Sequence, residues 1–353
     1  MTSAYSINID ENVAMDIEQL SSDGFLPLTS FLDYENLDSV LKTMRLKNGE
    51  IWPIPILFPK PAKEVHRGDE LTLKFKNQIF AKLTITDSFS YDLLKISKFF
   101  FGTTNTDHPG VSKLKNSSTE FITGKLKKLK KLSSILNVES YSPTDSKKII
   151  KKRNWKKIVG FHTRNPPHRA HEFLHKCSLE NSDGLFIHPV IGSKKSGDFS
   201  SSAIMHSYKK YITHYLPKSN VILNPLLTYS RYAGPKEAVF TALIRKNYGC
   251  THFIVGRDHT GVKNFYGKYD SQKIFKKLPD ISLEILTYDE PYYCKKCSQI
   301  TTSKTCPHGS KYYVEISGTI IRNSILNKSK LSEIYMRPEV IKYLKMKKNV
   351  FVK

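Results

Sequence analysis

Residues 158–192 read IVGFHTRNPPHRAHEFLHKCSLENSDGLFIHPVIG. A short apolar run leads into a proline-marked turn, then a helical stretch (HRAHEFLHKCSLEN), then a second apolar run (GLFIHPVIG). That is a strand–helix–strand unit. The texture continues downstream. SSAIMHSYKKYITHYL (201–216) reads as a helix, VILNPLL (221–227) as a strand, PKEAVFTALIRKNYG (235–249) as a helix and THFIVG (251–256) as a strand. A helix around YDSQKIFKKL (269–278) and the strand LEILTYD (283–289) follow. Strands alternating with helices of roughly 12–15 residues predict a parallel, doubly wound sheet. Such sheets bind ligands at the C-terminal ends of their strands, with phosphates at a helix N-terminus.

Upstream the pattern differs. From about residue 25 to 110 it is β-rich. WPIPILF (52–58) reads as an edge or irregular strand because two prolines interrupt it. LTLKFKNQIFAKLTITDSF (71–89) gives two alternating runs around Lys76-Asn77-Gln78, a hairpin. Residues 112–150, rich in Lys and Ser, read as loop plus one exposed helix leading to a junction. Three parts result: a β-rich domain over 1–153, an α/β domain over 154–290 and a small subdomain over 291–353.

The formal charge of +24 fits a lysine-rich surface, attraction of small anions, or nucleic acid. The densest basic runs, GKLKKLKKL (124–132) and KKIIKKRNWKK (147–157), are not interleaved with aromatics as a base-stacking surface would be. They read as an exposed helix and a domain junction, and no nucleic-acid partner is expected. No apolar run reaches eighteen residues, so no membrane span is expected. The N-terminus, MTSAYSINIDENVAMDIEQL, lacks the basic and apolar regions of a secretory signal, which makes a cytoplasmic location the expectation.

Two chemical patterns overlap on His171. His171-Glu172-Phe173-Leu174-His175 is H-E-x-x-H, a metallopeptidase zinc signature. His168 and His171, three residues apart, share a face at the opening of a helix. Asn165 precedes two prolines, which makes it the expected N-cap. Arg164, two imidazoles and a helix dipole then converge where polyphosphate would bind. His175 lies roughly 6 Å farther along the helix, away from the strand ends. The phosphate reading therefore fits the site better, and His175 is expected to be a partly buried polar residue. GRDHTG (256–261) follows THFIV and belongs at the same crevice: Arg257 offers a fork for an oxyanion, and Gly256 and Gly261 allow close approach.

Of five cysteines, Cys294, Cys297 and Cys306 cluster with His308 in YYCKKCSQITTSKTCPHG (292–309). C-x-x-C followed at loop distance by C-P-H reads as a zinc knuckle with no position left for water, hence structural. Cys177 and Cys250 are expected to be buried. GSKKSG (192–197) has the glycine spacing of a P-loop, but Asp198 and Phe199 stand where Lys and Ser/Thr belong, so no fused P-loop kinase is expected.

Together HTRNPPHRAH (162–171) and GRDHTG resemble the two signatures of the ATP sulfurylase (sulfate adenylyltransferase) family, Q-T-R-N-P-x-H-x-x-H and G-R-D-H-A-G. RYAGPKEA (231–238), HPVIGSKKSGD (188–198), SGTIIR (317–322), MRPEV (336–340), NGEIWPIPI (48–56) and DHPGV (107–111) match as well. The resemblance implies a PUA-like N-terminal domain, a Rossmann-like nucleotidylyltransferase domain and a small C-terminal subdomain. It implies that ATP and sulfate give adenylyl sulfate and pyrophosphate. By position, Thr163, Arg164 and Asn165 belong to the active site, His168 and His171 stabilise the departing pyrophosphate, and Arg164 and Arg257 clamp sulfate and phosphate. Gly256, Arg257, Asp258 and His259 would form part of the ATP site, and Leu286 would stand near adenine. The sequence departs from the family at His162, where glutamine is usual, and at Thr260, where alanine is. Mg²⁺ is implied with ATP, and a homodimer by analogy. The rival readings are an RNA-binding protein, from the charge, and a zinc peptidase using His171 and His175.

Overall fold

The computed structural model describes residues 4–257, 259, 261–262 and 264–352. The chain divides into two compact units. The first comprises Met1–Ile149, Leu227–Gly249 and Asp258–Leu283; the second comprises Ile150–Leu226, Cys250–Arg257 and Glu284–Lys353. None of the described helices is long and apolar enough to cross a membrane.

The first unit is built on a five-stranded sheet of β1 (Ala4–Asn8), β2 (Phe58–Pro59), β3 (Glu70–Phe75), β4 (Gln78–Ser90) and β5 (Glu120–Lys128), in the order β1-β3-β4-β5-β2. Its helices along the first stretch are α1 (Glu11–Leu20), α2 (Tyr34–Thr43), α3 (Leu93–Phe101), α4 (Pro109–Lys115) and α5 (Leu132–Leu136). The expected hairpin joins β3 to β4, and Lys76 and Asn77 at its tip both take positive φ, as a two-residue turn of matching twist requires. WPIPILF supplies only the two-residue edge strand β2. The basic stretch after residue 112 departs from expectation. GKLKK (124–128) is the end of strand β5, paired antiparallel with β4 from Ala81 to Ser90, and not a helix. Its Lys-Leu-Lys alternation, with Leu126 turned inward more than its neighbours, is the period-2 signal of a half-buried strand.

After α6 (Pro143–Lys152), the second unit carries the α/β alternation. It runs β6 (Ile158–Thr163), α7 (Arg169–Leu179), β7 (Gly184–Pro189), α8 (Ser201–Tyr215), β8 (Val221–Leu223); then, past α9 (Gly234–Asn247), which groups with the first unit, β9 (His252–Val255). The expected helix at 269–278 is only the short α10 (Asp270–Lys273) and a 3₁₀ turn. β10 (Glu284–Thr287) completes an all-parallel sheet of order β10-β9-β6-β7-β8. β6, β7 and β9 are buried along nearly their whole length, as strands covered on both faces are. A three-stranded antiparallel sheet of β11 (Tyr292–Cys294), β12 (Gln299–Thr301) and β13 (Tyr313–Glu315) follows, then α11 (Gly318–Leu326) and α12 (Pro338–Met346).

In this sheet the chain steps from β6 to β7 to β8, then returns to the other side of β6 to lay down β9. The strand order therefore reverses between β6 and β9, which pair directly through Val159↔His252 and Gly160↔Phe253. Loops leaving the C-terminal ends of two such strands diverge and leave a crevice. Those are the loops that carry RNPPH and GRDHTG.

Candidate active site

The turn after β6 is tied to itself. Thr163 Oγ1 accepts from the Asn165 amide at 3.2 Å and donates to the Asn165 carbonyl at 3.1 Å. The helix opens later than the sequence suggests: Asn165 is not the N-cap. His168 is, with Nδ1 accepting the His171 amide at 3.3 Å. Proline disfavours helical backbone in the residue before it, so Pro166 and Pro167 push the helix start beyond them, to Arg169. The Asn165 side chain instead lies against Gly318, at the first turn of α11. A Cβ at 318 would stand 3.3 Å from Asn165 Nδ2, a tight approach that glycine avoids.

His168 and His171 are stacked, with ring centroids 3.6 Å apart and an interplanar angle of 25°. Phe161 on β6 meets both His171 and His175 in T-shaped contacts. Two tyrosines of α8 reach across: Tyr208 Oη lies 3.4 Å from His171 Nδ1, and Tyr211 Oη 3.3 Å from His175 Nδ1. Burial takes all three imidazoles well below the ordinary histidine range. His168 falls to about 4 and His175 to about 3, and the fall at His171 is reinforced by its two histidine neighbours. They are neutral at pH 7. His175 is fully buried rather than partly so.

Glu172 does not join the histidines. It is buried under Arg337, which grips it with two hydrogen bonds of 2.8 and 2.5 Å, and Lys176 adds a third contact at 2.9 Å. Burial alone would raise its pKa; these hydrogen bonds outweigh it and hold the carboxyl below its ordinary value. The stretch MRPEV thus fixes the start of α12 to α7.

On the neighbouring strand end, Lys194 donates to the Val190 carbonyl at 2.9 Å, and the Val190 amide donates to the Thr163 carbonyl at 3.0 Å. The ammonium therefore stands near the end of β6. Burial and then repulsion by Arg164 lower its pKa to about 8. Two cations held together here have the electrostatics of an anion site. Behind them Arg322 of SGTIIR pairs with Asp198 at 3.3 Å.

On the β9 side, Arg257 is held by Glu290 at 3.0 Å. Among the described residues, none other than its chain neighbours comes within 4 Å of where a Gly256 Cβ would be. Leu286 sits on β10 in register with Ile254. His162 is partly buried on β6, in register with His188. His259 belongs to the first unit, where its Nε2 meets Thr241 Oγ1 at 2.9 Å and its carbonyl accepts from Ser271. Asp258 and Thr260 lie outside the described residues. The second unit therefore places His162, Thr163, Arg164, Asn165, His168, His171, Gly256, Arg257 and Leu286 on, or just after, the adjacent parallel strands β6, β9 and β10 of one sheet.

Comparison with known proteins gives the family. A family model described as ATP-sulfurylase matches residues 139–347, and a PUA-like domain model matches residues 1–131. A sulfate adenylyltransferase of Pyrococcus abyssi is 38% identical over 346 residues, covering 98% of this chain and 91% of the relative. The chain belongs to the ATP-sulfurylase family. A sulfate adenylyltransferase of Synechococcus is 39% identical over 345 residues, covering 96% of this chain and 88% of the relative. Among solved structures, a hexameric APS kinase from Thiobacillus denitrificans superposes with a TM-score of 0.74 at 20% identity, a likeness of fold alone; the match covers 97% of this chain and 62% of that one.

In this ATP-sulfurylase chain the cysteine cluster closes as its spacing suggests. Ligand atoms of Cys294, Cys297, Cys306 and His308 all lie within 4.8 Å of one another. Cys297 Sγ is 3.7 Å from Cys306 Sγ, and His308 Nδ1 lies 3.1, 3.5 and 3.6 Å from the sulfurs of Cys297, Cys294 and Cys306. With Zn–S of about 2.3 Å and Zn–N of about 2.0–2.1 Å, a tetrahedron has edges of about 3.8 Å for S···S and about 3.5 Å for S···N. The residues fit a metal such as zinc. β11 supplies Cys294, and the stacked Tyr292–Tyr313 pair lies on the same small sheet. Cys250 is buried as expected, whereas Cys177 is partly exposed.

Sequence reasoning singled out SGTIIR, MRPEV and GSKKSG without giving them work in the site. Gly318, Arg337 and Lys194 are where they act. Tyr208 it missed, because an aromatic on the buried side of a helix carries no signal of its own.

Proposed function

We propose that this chain joins sulfate to the adenylyl group of ATP, giving adenylyl sulfate and pyrophosphate. The observation that supports it is the switch point: both signature loops leave neighbouring parallel strands at the place where the strand order reverses. Sulfate is already ionised and needs no general base. One of its oxygens bonds to the α-phosphorus, the bond from that phosphorus to the oxygen bridging to the β-phosphorus breaks opposite, and pyrophosphate leaves with the electron pair.

The protein's task is to hold two anions together and spread the growing charge by preorganised donors. In this reading Arg164 and Arg257 clamp sulfate and phosphate, with Thr163 and Asn165 shaping the turn that presents Arg164. His168 and His171, being neutral, offer N–H groups to the departing pyrophosphate. His162, Gly256, Asp258, His259, Thr260 and Leu286 line the nucleotide. Mg²⁺ would neutralise the β- and γ-oxygens. It would come in on ATP itself, since Glu172 and Glu290 are already engaged by Arg337 and Arg257. Zinc at the knuckle would be structural. We keep the three-part division at 1–153, 154–290 and 291–353 for these roles, and a homodimer as the assembly.

The reaction runs uphill toward adenylyl sulfate, so the informative assay is sulfate-dependent exchange of labelled pyrophosphate into ATP. The chain is expected to catalyse it, and Arg164→Ala and Arg257→Ala to lose at least about 10²-fold, the cost of one oxyanion donor. An enzyme that shows no exchange, or an arginine variant that keeps its rate, would remove the corresponding claim.

A further inference from the structure

His171 can offer an N–H to an oxyanion only if its proton sits on Nε2. A neutral imidazole carries one proton, and which nitrogen holds it is set by what the other nitrogen meets. Nδ1 of His171 points at the hydroxyl of Tyr208, 3.4 Å away. Among the described residues no protein group bonds its Nε2. Tyr208 is fully buried on α8. Burial keeps the phenol protonated far above neutral pH, so a donor is always there.

We propose that Tyr208 donates its hydroxyl proton to Nδ1 of His171, which fixes the Nε2–H tautomer and turns an N–H toward the anion. Tyr208 is then a positioning residue, acting through His171. His168 reaches the same state by a different route: its Nδ1 is occupied by the His171 amide, which leaves its proton on Nε2. The stacked rings present two N–H donors side by side, one fixed by the backbone and one by Tyr208. With the opposite tautomer, the His171 nitrogen facing the anion would carry a lone pair and repel it.

The role in turnover rests on the adenylyl-transfer reading; the tautomer does not. Two measurements separate them. In protein labelled with ¹⁵N-histidine, long-range nitrogen–proton spectra at pH 7 are expected to show His171 with Nδ1 unprotonated. A protonated Nδ1 in the parent protein overturns the proposal, whatever the enzyme does. In the exchange assay, Tyr208→Phe is expected to lower kcat about tenfold, the scale of one hydrogen bond, with the KM for sulfate unmoved. Combined with His171→Ala, it should add nothing further, because the residue it positions is gone. An equal loss in both backgrounds would mean that Tyr208 is merely structural. Absence of exchange in the parent enzyme would defeat the functional reading and leave the spectra to decide the tautomer.

Discussion

The histidine row of α7 and the Cys/His knuckle are both written in the sequence as metal patterns, and only one of them is built as a metal site. At the knuckle four ligand atoms converge within 4.8 Å. Along α7 the rings of His171 and His175 are 6.3 Å apart, each has a tyrosine on Nδ1, and the glutamate between them faces an arginine. A C-x-x-C turn and a loop returning a third cysteine can close on a point. A single helix presents i and i+4 in a row, so it needs a third ligand from elsewhere. α7 receives two phenols instead.

Taking metal from the knuckle should give the largest effect in the molecule. A zinc ion bound there would supply folding free energy for residues 291–315, on the order of 10 kcal/mol in small zinc modules. Cys297→Ser, or treatment with a strong chelator, is expected to release zinc and unfold that segment, read by metal analysis and by amide exchange over β11–β13. If chelation left those amides protected, the knuckle would not depend on metal.

Acid should act on the histidine row instead. An unfolded histidine titrates near 6.5, while His168 and His175 do so at about 4 and about 3 when folded. Folded values below unfolded ones give stability that is complete above about 6.5 and falls as pH drops toward 4, where the unfolded chain takes up protons that the folded one refuses. Each such group costs about 1.4 kcal/mol per pH unit in that window. The measurement is denaturant midpoint against pH, made on protein already stripped of metal so that the knuckle cannot contribute. A flat profile from pH 7 to 5 would contradict the buried neutral state.

How much of this was legible beforehand depends on the kind of contact. The parallel sheet and its two loops were written locally, as apolar runs of strand length separated by helical ones. The cysteine spacing was equally local. GKLKK was misread because Lys-Leu alternation on a polar background is weak until β4 lies beside it to pair. Asn165 looked like a cap because its type favours one, and the prolines after it overruled that preference. The Glu172–Arg337 grip joins residues 165 positions apart, and Tyr208–His171 joins α7 to α8. Neither spacing carries a periodic signal.

The grip on Glu172 offers a middle-sized test of the same comparison. Removing one member of a buried ion pair costs about 3 kcal/mol because the other charge is left buried. Arg337→Ala is expected to destabilise the second unit by that order, and Arg337→Ala with Glu172→Gln by less, since the orphaned charge is gone. If Glu172 served as a metallopeptidase base, Glu172→Gln alone would abolish a chelator-sensitive activity; here it should leave exchange within a few-fold of the parent.

The smallest effect should come from His175. Among the described residues its Nε2 is buried without a hydrogen-bond partner and its Nδ1 meets Tyr211. His175→Leu removes one unpaired polar atom and leaves one phenol unpaired, two desolvation terms of similar size and opposite sign, so stability should move by no more than about 1 kcal/mol. Exchange activity should stay within about threefold, whereas His171→Ala should lose about 10²-fold as an oxyanion donor does. In H-E-x-x-H both histidines are equal partners, and their losses would be equal too. Unequal losses mean that one histidine faces the crevice and the other fills the core behind it, while matched losses would put the two back on one ligand.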